Sequence, residues 1–182
     1  VAILITGPDV PVEVQRGTGT GKVSSTPAGT RVVSVAARSA HDYDPLGDGE
    51  EHAEQVARTV DRDGGTAWTT EQYPAGLDGA GKAGVGVYID AKPRVEAVRL
   101  QLETPEPGWR AAIYGAPPGA VPASLDGWTR LGGGTVDRKD KNFSLDTKGQ
   151  QFRYYLVWIT RLAPGAQRAQ ISEIRLLQEI PR

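Results

Sequence analysis

The segment Phe152-Arg-Tyr-Tyr-Leu-Val-Trp-Ile-Thr160 decides the fold class of this chain. Most of its side chains are aromatic or β-branched, and such side chains fit the pleated surface of a sheet better than that of a helix. We therefore predict a strand here, the strongest in the chain. Glycine (23 residues) and proline (13 residues) are both more frequent than in an average protein, which favours many turns and short strands over long helices.

Seven further segments carry a strand pattern. The clearest is 94–103, in which Val98, Leu100 and Leu102 alternate with polar residues, as expected for a strand with one buried face. Turn signals such as Pro117-Pro-Gly119 separate the segments at intervals of roughly ten residues. The strand segments are 31–38, 85–90, 94–103, 109–114, 128–131, 143–145 and 171–177. The pattern predicts an all-β fold, an antiparallel β-sandwich or jelly roll, with one or two helical turns within 50–60.

Length and composition limit the class of protein. With 182 residues the chain fits one domain, which can bury roughly 70% of its unfolded surface and fold without a disulfide or a metal. A formal net charge of -1 argues against a general nucleic-acid-binding protein. Cysteine is absent, which excludes disulfides, thiolate metal sites and a thiol nucleophile. The two histidines, His41 and His52, are too few for a multi-histidine metal site.

The first 29 residues differ in composition from the rest. Residues 1–5 (Val-Ala-Ile-Leu-Ile) form either a first strand or, as we favour, the last turn of a membrane helix, because a polar Gly/Thr/Ser-rich run follows at once. The run Gly17-Thr-Gly-Thr-Gly-Lys22 lacks the first glycine and the final Ser/Thr of a phosphate-binding loop, so a flexible linker is favoured. We expect residues 1–29 to be a membrane-proximal segment and linker of a longer protein, and residues 30–182 to be the folded domain.

The stretch Asp61-Arg-Asp-Gly-Gly-Thr-Ala-Trp68 brings Asp61, Asp63 and Thr66 into one glycine-containing turn. Calcium is bound by about 6–8 oxygens, commonly including backbone carbonyls, and such a turn can gather several oxygens around one point. The alternative is a β-turn with solvated aspartates followed by a buried tryptophan, and the spacing alone favours this alternative.

The same stretch resembles the Asp-Gly-Asp-x-x-Thr-x-Trp signature of discoidin-like domains (coagulation factor 5/8 type C) and of related carbohydrate-binding modules. The resemblance continues in the strand 152–160 and in Ile171-Ser-Glu-Ile174, which is similar to the final strand of the family, and it covers residues 30–178. It implies a jelly-roll sandwich of the galactose-binding-like type.

The resemblance also implies a structural calcium ion (Ca2+) beside the turn. Carried over by position, its ligands would be the following: the backbone carbonyl of Arg58, Asp61, the Asp63 position, Thr66 and the carboxylate of Glu173. Arg62 stands where the family usually has glycine, which leaves the turn conformation and the occupancy of the site open. A calcium ion here would tie the first and last strands together and take no part in catalysis.

A narrower resemblance lies in Asp42-Tyr-Asp-Pro-Leu-Gly-Asp-Gly-Glu-Glu51, together with Thr66-Ala-Trp68 and 156–162 (Leu-Val-Trp-Ile-Thr-Arg-Leu). These strings look like the extracytoplasmic discoidin-like domain of actinobacterial membrane proteins, among them serine/threonine kinases and MviN-type lipid-flippase proteins. In those proteins the domain follows a membrane helix and a polar linker. The resemblance implies a cell-surface, membrane-tethered location, with the membrane contacted only through a helix upstream of this chain.

The acidic run 41–51 is expected to be a solvated, Pro/Gly-shaped loop. An EF-hand register that starts at Asp42 fails, because Leu46 and Ala53 fall at positions that require a ligand.

Aromatic and arginine side chains supply the candidates for ligand binding. An exposed Trp or Tyr can stack on a sugar ring. The resemblance implies that Trp68 and Trp158 lie in the core, and Trp128 is expected there because most tryptophans are largely buried. Tyr43 and Tyr73 are expected on exposed loops. The candidate ligand-binding residues are Tyr43, Tyr73, Trp109, Arg110 and Tyr114. Arg110, Arg130 and Arg161 can bind carboxylated glycans or acidic partners, and a solvated face explains them equally well.

The sequence does not indicate an enzyme. Neither histidine lies in a recognisable nucleophile context, His41 is expected at the surface, and carboxylates are too numerous for any pair to indicate a glycosidase. The first hypothesis is a non-catalytic extracytoplasmic sensor module that binds a cell-envelope glycan or a peptidoglycan precursor for a kinase-like or flippase-like partner on the same chain. The alternatives are a protein–protein interaction domain of the same fold that binds another envelope protein, or an accessory carbohydrate-binding module of a secreted glycosidase.

Overall fold

The computed structural model describes residues 29–180, which fold into two main antiparallel β-sheets and a two-stranded ribbon. Within that range the single α-helix, α1 (Gly76–Gly79), is one turn long. The strands are β1 (Thr30–Val32), β2 (Ala40–Tyr43), β3 (Trp68–Thr69), β4 (Val85–Val95), β5 (Ala97–Glu103), β6 (Arg110–Ala116), β7 (Thr129–Thr135), β8 (Asp140–Ser144), β9 (Phe152–Arg161), β10 (Gln170–Ile171) and β11 (Glu173–Glu179). The all-β prediction is confirmed.

The two sheets form a sandwich. The five-stranded sheet has the order β2-β4-β9-β6-β7, the four-stranded sheet has the order β1-β11-β5-β8, and β3 pairs with β10 in the ribbon. Strand β9 lies at the centre of the five-stranded sheet, paired with β4 on one side and β6 on the other. The segment that decided the fold class is therefore the central strand of the larger sheet.

The main core lies between the sheets. Tyr155, Val157 and Ile159 of β9 contribute to it from one sheet, and Leu100 and Leu102 of β5 contribute from the other, all of them fully buried. The hydroxyl of Tyr155 donates to the carbonyl of Val95 (2.7 Å) and accepts from the Ala97 N–H (3.0 Å), and burial raises its pKa to about 12. Tyr155 thus fixes the connection between β4 and β5 to the core.

A second apolar cluster lies on the outer face of the five-stranded sheet. Tyr154, Leu156 and Trp158 of β9 are buried there, and Val121 and Leu125 pack against the same cluster. We call residues 117–128, which contain Val121 and Leu125, the covering segment. Strand β9 is consequently buried on both faces, which explains why its sequence is almost continuously apolar instead of alternating.

Some predicted boundaries are wrong. The strand predicted at 31–38 is limited to β1, and residues 40–43, predicted as the beginning of a loop, form β2 against β4. Pairing with a neighbouring strand outweighs the low strand propensity of this polar segment. The helical turns predicted within 50–60 are present as 3₁₀-helix, Ala53–Thr59.

The predicted membrane-proximal segment, with its apolar start and the Gly17–Lys22 run, lies outside the described residues, and the boundary at residue 30 stays a prediction. Within 29–180, none of the helices has the length and apolar character that a membrane crossing requires.

Candidate functional site

One end of the sandwich is built from long connections. The strand register places Tyr43, where β2 ends, beside the beginning of β4, and it places the end of β9 beside the beginning of β6. We call this the loop end; its segments are 44–67, 70–84, 104–109, 136–139 and 162–169. Gly29 and Ile180 pair at the opposite end, where the Ile180 N–H donates to the Gly29 carbonyl (2.8 Å). Loops held on a rigid scaffold are where binding residues concentrate.

A buried charged network around Lys82 holds the loop end together. The Lys82 Nζ donates to Asp44 Oδ2 (2.8 Å), to Glu51 Oε1 (3.2 Å) and to the Tyr73 hydroxyl (3.0 Å). The side chains of Asp44 and Glu51 are 0% exposed and that of Lys82 is 10% exposed. Glu51 Oε1 also accepts a hydrogen bond from the Tyr73 hydroxyl, and Glu51 Oε2 accepts one from the Glu71 N–H (2.7 Å). One lysine therefore ties together two loop segments, 44–67 and 70–84.

Burial and ion pairing act in opposite directions on this network. Burial raises the pKa of Glu51, and the hydrogen bonds from the Glu71 N–H and from Lys82 only partly oppose that rise. Burial acts to lower the pKa of Lys82, but its hydrogen bonds to Asp44 and Glu51 outweigh burial, so the pKa is raised and the side chain is held as an ammonium ion. Asp44 Oδ1 is buried without a hydrogen-bond partner. The two carboxylates thus depend on Lys82 as their counterion.

The network corrects the prediction of a solvated acidic loop at two positions, while residues 46–50 are exposed as predicted. Asp44 and Glu51 turn inward, and a side chain at Gly47 would begin 2.1 Å from Asp44 Oδ2. Because no real Cβ approaches that closely, glycine is needed where the loop closes over the network.

A polar recess lies beside this network. It has a volume of about 490 Å³ and is lined by His52, Gln55, Thr69, Thr70, Glu71, Gln72 and Arg168. The Nδ1 of His52 lies 2.7 Å from the Thr69 carbonyl, and because a carbonyl oxygen only accepts, Nδ1 carries a proton. Its Nε2 makes no hydrogen bond within residues 29–180. His52 also has a φ of 51°, in the left-handed region that side chains other than glycine seldom adopt.

The predicted calcium-binding turn is folded as a compact loop. Asp61 Oδ1 accepts the Asp63 N–H (2.8 Å), Asp61 Oδ2 accepts the Thr66 hydroxyl (2.7 Å), and Asp63 Oδ1 accepts the Gly65 N–H (2.9 Å). Arg62 has a φ of 68°, the conformation in which glycine is favoured. The turn shape that glycine would permit is therefore kept in spite of the arginine.

The donor set fits a calcium ion. Glu173 lies on β11 with its Oε2 buried and without a hydrogen-bond partner. Burial raises the pKa of Glu173, Arg175 opposes that rise, and the negative charge of Asp61 adds to it. The predicted set combines these carboxylates with carbonyl and hydroxyl oxygens, one of them the backbone carbonyl of Arg58. The Arg58 side chain donates a hydrogen bond to the Ala67 carbonyl (3.2 Å). In the described range no three His, Asp or Glu side chains are placed to hold a metal by themselves.

Three of the predicted ligand-binding aromatics are buried, so the expectation that Tyr43 and Tyr73 are exposed is wrong. Tyr43 (8% exposed) donates to the Pro122 carbonyl (2.9 Å) and accepts the Trp128 N–H (3.1 Å) beneath the covering segment. Tyr73 (5%) belongs to the Lys82 network, and Trp109 (1%) lies in the main core. None of the three can stack on a ligand in this conformation.

The other two predicted ligand-binding residues remain accessible. Arg110 is exposed at the beginning of β6, and Tyr114 is half-buried at the edge of the outer cluster. Trp68 is in the main core as predicted, whereas Trp158 and Trp128 are buried in the outer cluster. His41 is exposed, as predicted, with its ring stacked on Tyr88 (4.9 Å).

Two observations could not be made from local sequence. Every Phe, Tyr and Trp side chain within 29–180 is buried or half-buried, so the loop end presents polar groups and not a platform of these side chains. The His52 recess was missed, because Glu71 and Arg168 reach it from distant parts of the chain and no motif connects them.

No protein-family model and no curated protein matches this chain, but solved structures do. Truncated AlyQ, with CBM32 and alginate lyase domains, matches with a TM-score of 0.61 and 10% identity over 85% of this chain and 35% of that chain. This chain thus spans about a third of that protein.

Two isolated modules match over most of their length. The family 32 CBM (carbohydrate-binding module) from C. perfringens NanJ, solved in complex with galactose, has a TM-score of 0.57 and 11% identity over 82% of this chain and 100% of that one. Chitosan-binding module 1 from the chitosanase/glucanase of Paenibacillus sp. IK-5 has a TM-score of 0.53 and 14% identity over 76% and 92%. At these identities the likeness shows the fold, and the predicted jelly-roll sandwich of the galactose-binding-like type is confirmed.

Proposed function

We propose that this domain is a non-catalytic module that binds a glycan of the cell envelope, or a peptidoglycan precursor, at its loop end. The observation that carries the proposal is the polar recess at His52. Sugar hydroxyls both donate and accept hydrogen bonds, and the recess offers the His52 ring and the Glu71 carboxylate as acceptors and the Arg168 guanidinium as a donor. The solved modules of the same fold, one in complex with galactose and the other a chitosan-binding module, support this choice of ligand class.

The location of the domain belongs to the same proposal. The resemblance of 42–51 and 156–162 to MviN-type and kinase-like membrane proteins supports an extracytoplasmic, membrane-tethered domain. In that position it would report the state of the envelope glycan to a kinase-like or flippase-like partner on the same chain.

The experiment is co-sedimentation of the domain with actinobacterial cell-wall sacculi, with competition by soluble muropeptides. Saturable, competed binding is expected, and His52→Ala and Arg168→Gln should each weaken it, since each removes a polar group from the recess. The chain supplies matched controls in His41→Ala and Arg99→Gln, which change exposed residues away from the recess. Failure of the wild type to bind sacculi would reject the proposal in favour of a protein-interaction domain.

Calcium enters the proposal as a structural ion. It would be held by the Arg58 carbonyl, Asp61, the Asp63 position, Thr66 and Glu173. A ligand that binds only the folded state stabilises it, so calcium should raise the melting temperature relative to a chelator. Glu173→Gln should abolish that rise, whereas Glu106→Gln, at an exposed loop position, should keep it. An unchanged calcium response in Glu173→Gln would contradict the ligand assignment.

A further inference from the structure

Two arginines stand directly opposite each other at the loop end. Arg110 of β6 is the register partner of Arg161 of β9, and both are exposed. The register between β6 and β9 shifts between Arg110 and Ala111, so the pair stands at a β-bulge, where Thr160 and Arg161 together oppose Arg110. Like charges opposite each other on neighbouring strands repel each other. The pair is therefore unfavourable for the free protein unless an anion lies between the two guanidinium groups.

The protein does not supply that anion. The ion pairs within 29–180 involve Lys82, Arg138, Lys141, Arg153 and Arg175, and neither Arg110 nor Arg161 takes part in one. Carboxylates are not scarce in this chain, which has 22 acidic against 21 basic residues. On the same strand β9, Arg153 is paired with Asp90 through two hydrogen bonds (2.8 and 2.7 Å). The absence of a carboxylate partner is therefore specific to the position of Arg110 and Arg161.

A recess adjoins the arginine pair. Arg161 and Thr160 line a cavity of about 320 Å³ whose other walls are α1 and the loop 162–167. These walls are joined by a hydrogen bond from the Tyr73 N–H to the Gln167 carbonyl (2.6 Å). The cavity itself is lined by one arginine, Arg161, and one carboxylate, Asp78, which makes no ion pair within 29–180. Arg110, which lies outside the lining as the register partner of Arg161, adds a second positive charge beside the cavity.

We propose that Arg110 and Arg161 form an anion-binding subsite, and that the glycan recognised by this domain is acidic. The proposal rests on the glycan-binding function proposed above and names the substrate class. A guanidinium group presents a planar fork of donors that matches the oxygens of a carboxylate or a phosphate. Two such forks on adjacent strands can hold one anionic group of a sugar chain from both sides, while its neutral part extends into the recess.

The test compares three probes by calorimetry: trigalacturonic acid, its methyl ester and an oligomer of glycerol phosphate. The acid and the ester share one sugar skeleton, and each negatively charged carboxylate of the acid is a neutral methyl ester in the other probe. Because a hydrogen bond to a charged group contributes about 1.5–3 kcal/mol, the acid should bind about tenfold or more tightly than the ester. Arg110→Gln and Arg161→Gln should each remove most of that difference, whereas Arg99→Gln on the opposite sheet should keep it. The preference should also weaken as salt is added, because exposed charges are screened.

The outcomes separate this inference from the function on which it rests. Equal binding of the acid and the ester by the wild type would overturn the acidic subsite and leave glycan binding standing. Tighter binding of the glycerol phosphate oligomer, lost in Arg161→Gln, would support the subsite and identify phosphate as its anion. Binding of an acidic peptide such as polyglutamate without any sugar binding would overturn both proposals. The melting temperatures of Arg110→Gln and Arg161→Gln should not fall, because neither arginine is expected to stabilise the folded protein. An arginine with a purely structural role would lower the melting temperature when it is replaced.

Discussion

Two sets of positive charges at the loop end have opposite surroundings. Lys82 is almost completely buried and donates to two carboxylates and a tyrosine hydroxyl. Arg110 and Arg161 are exposed, oppose each other across two strands and have no carboxylate partner within 29–180. A buried charge must have its counterion within the fold, since taking an ion out of water costs several kcal/mol. An exposed charge carries no such requirement and is free to serve an external ligand.

The comparison separates residues that build the site from residues that can act in it. The Lys82 network brings Asp44, Glu51 and Tyr73 to one point and thereby positions the loops that carry His52 and α1. The arginine pair contributes no internal contact of this kind. Substitution of the buried Lys82 should therefore change the stability of the protein, whereas substitution of the exposed Arg110 or Arg161 should change ligand binding.

The largest effect is expected for Lys82→Met. Methionine has a similar volume but leaves Asp44 and Glu51 buried without a counterion, and breaking a buried ion pair in this way costs about 3–5 kcal/mol. Urea unfolding should report that loss as a lower midpoint. Lys141→Met is the matched control, because its partner Asp137 has a side chain that is 52% exposed, so water can solvate that carboxylate when the ion pair is lost. A loss no larger than that of the control would mean that water reaches the network.

The second prediction concerns pH. The pKa of Glu51 is already raised by burial, and Lys82→Met removes the hydrogen bond and the charge that oppose the rise. Because the pKa of Glu51 is raised on folding, the folded state favours the protonated carboxyl group. The contribution of Glu51 to the free energy of unfolding is therefore fully present below the unfolded pKa of 4.5 and is lost as the pH rises through the folded pKa. The stability difference between wild type and Lys82→Met should therefore shrink as the pH is lowered from 7 towards 4.5, and urea unfolding at each pH measures it. A difference independent of pH would assign the loss to side-chain packing instead.

An intermediate case lies on the outer face of the five-stranded sheet. Arg153 binds Asp90 through two hydrogen bonds, and both side chains are partly exposed. The hydrogen bond from Arg153 holds the pKa of Asp90 below its usual value, so the pair stabilises the protein above pH 3.8 and loses that effect as the pH falls through the folded pKa. Asp90→Asn should cost less than Lys82→Met at pH 7 and nothing in strong acid. Thermal melts at the two pH values check this, and an acid-independent cost would point to a lost contact of another kind.

The parts of the structure that could be predicted from the sequence are those with a local signature. Strand β9 was found because burial on both faces leaves a continuous apolar and aromatic run. The turn at Asp61 can be recognised because its oxygens lie within six residues. The sequence leaves the effect of Arg62 on the turn open, and the structure shows that Arg62 adopts the left-handed conformation.

The Lys82 network and the His52 recess have no such signature. Asp44 and Glu51 stand in a run of carboxylates that looks solvated, and only the loop closure at Gly47 turns them inward. Tyr43 and Tyr73 are flanked by turn residues, which predicts exposure. Trp128 buries the first from a distant part of the chain, and the second is enclosed by Lys82, nine positions away, together with Glu51. Side chains that meet across 30 or more positions depend on the strand register, and that register is set by the whole fold.

The smallest effect on stability, and the one of opposite sign, is expected for the arginine pair. Arg161→Gln removes one of two opposed like charges, so the melting temperature should stay the same or rise by up to about 1–2 °C at low salt. Arg110→Gln should give the same rise, and the double variant should gain little beyond either one, because the first substitution already ends the repulsion. High salt should remove the rise in all three variants. A fall in melting temperature would mean that the two arginines stabilise the free protein. That result would contradict the assignment of Arg110 and Arg161 as an anion-binding subsite.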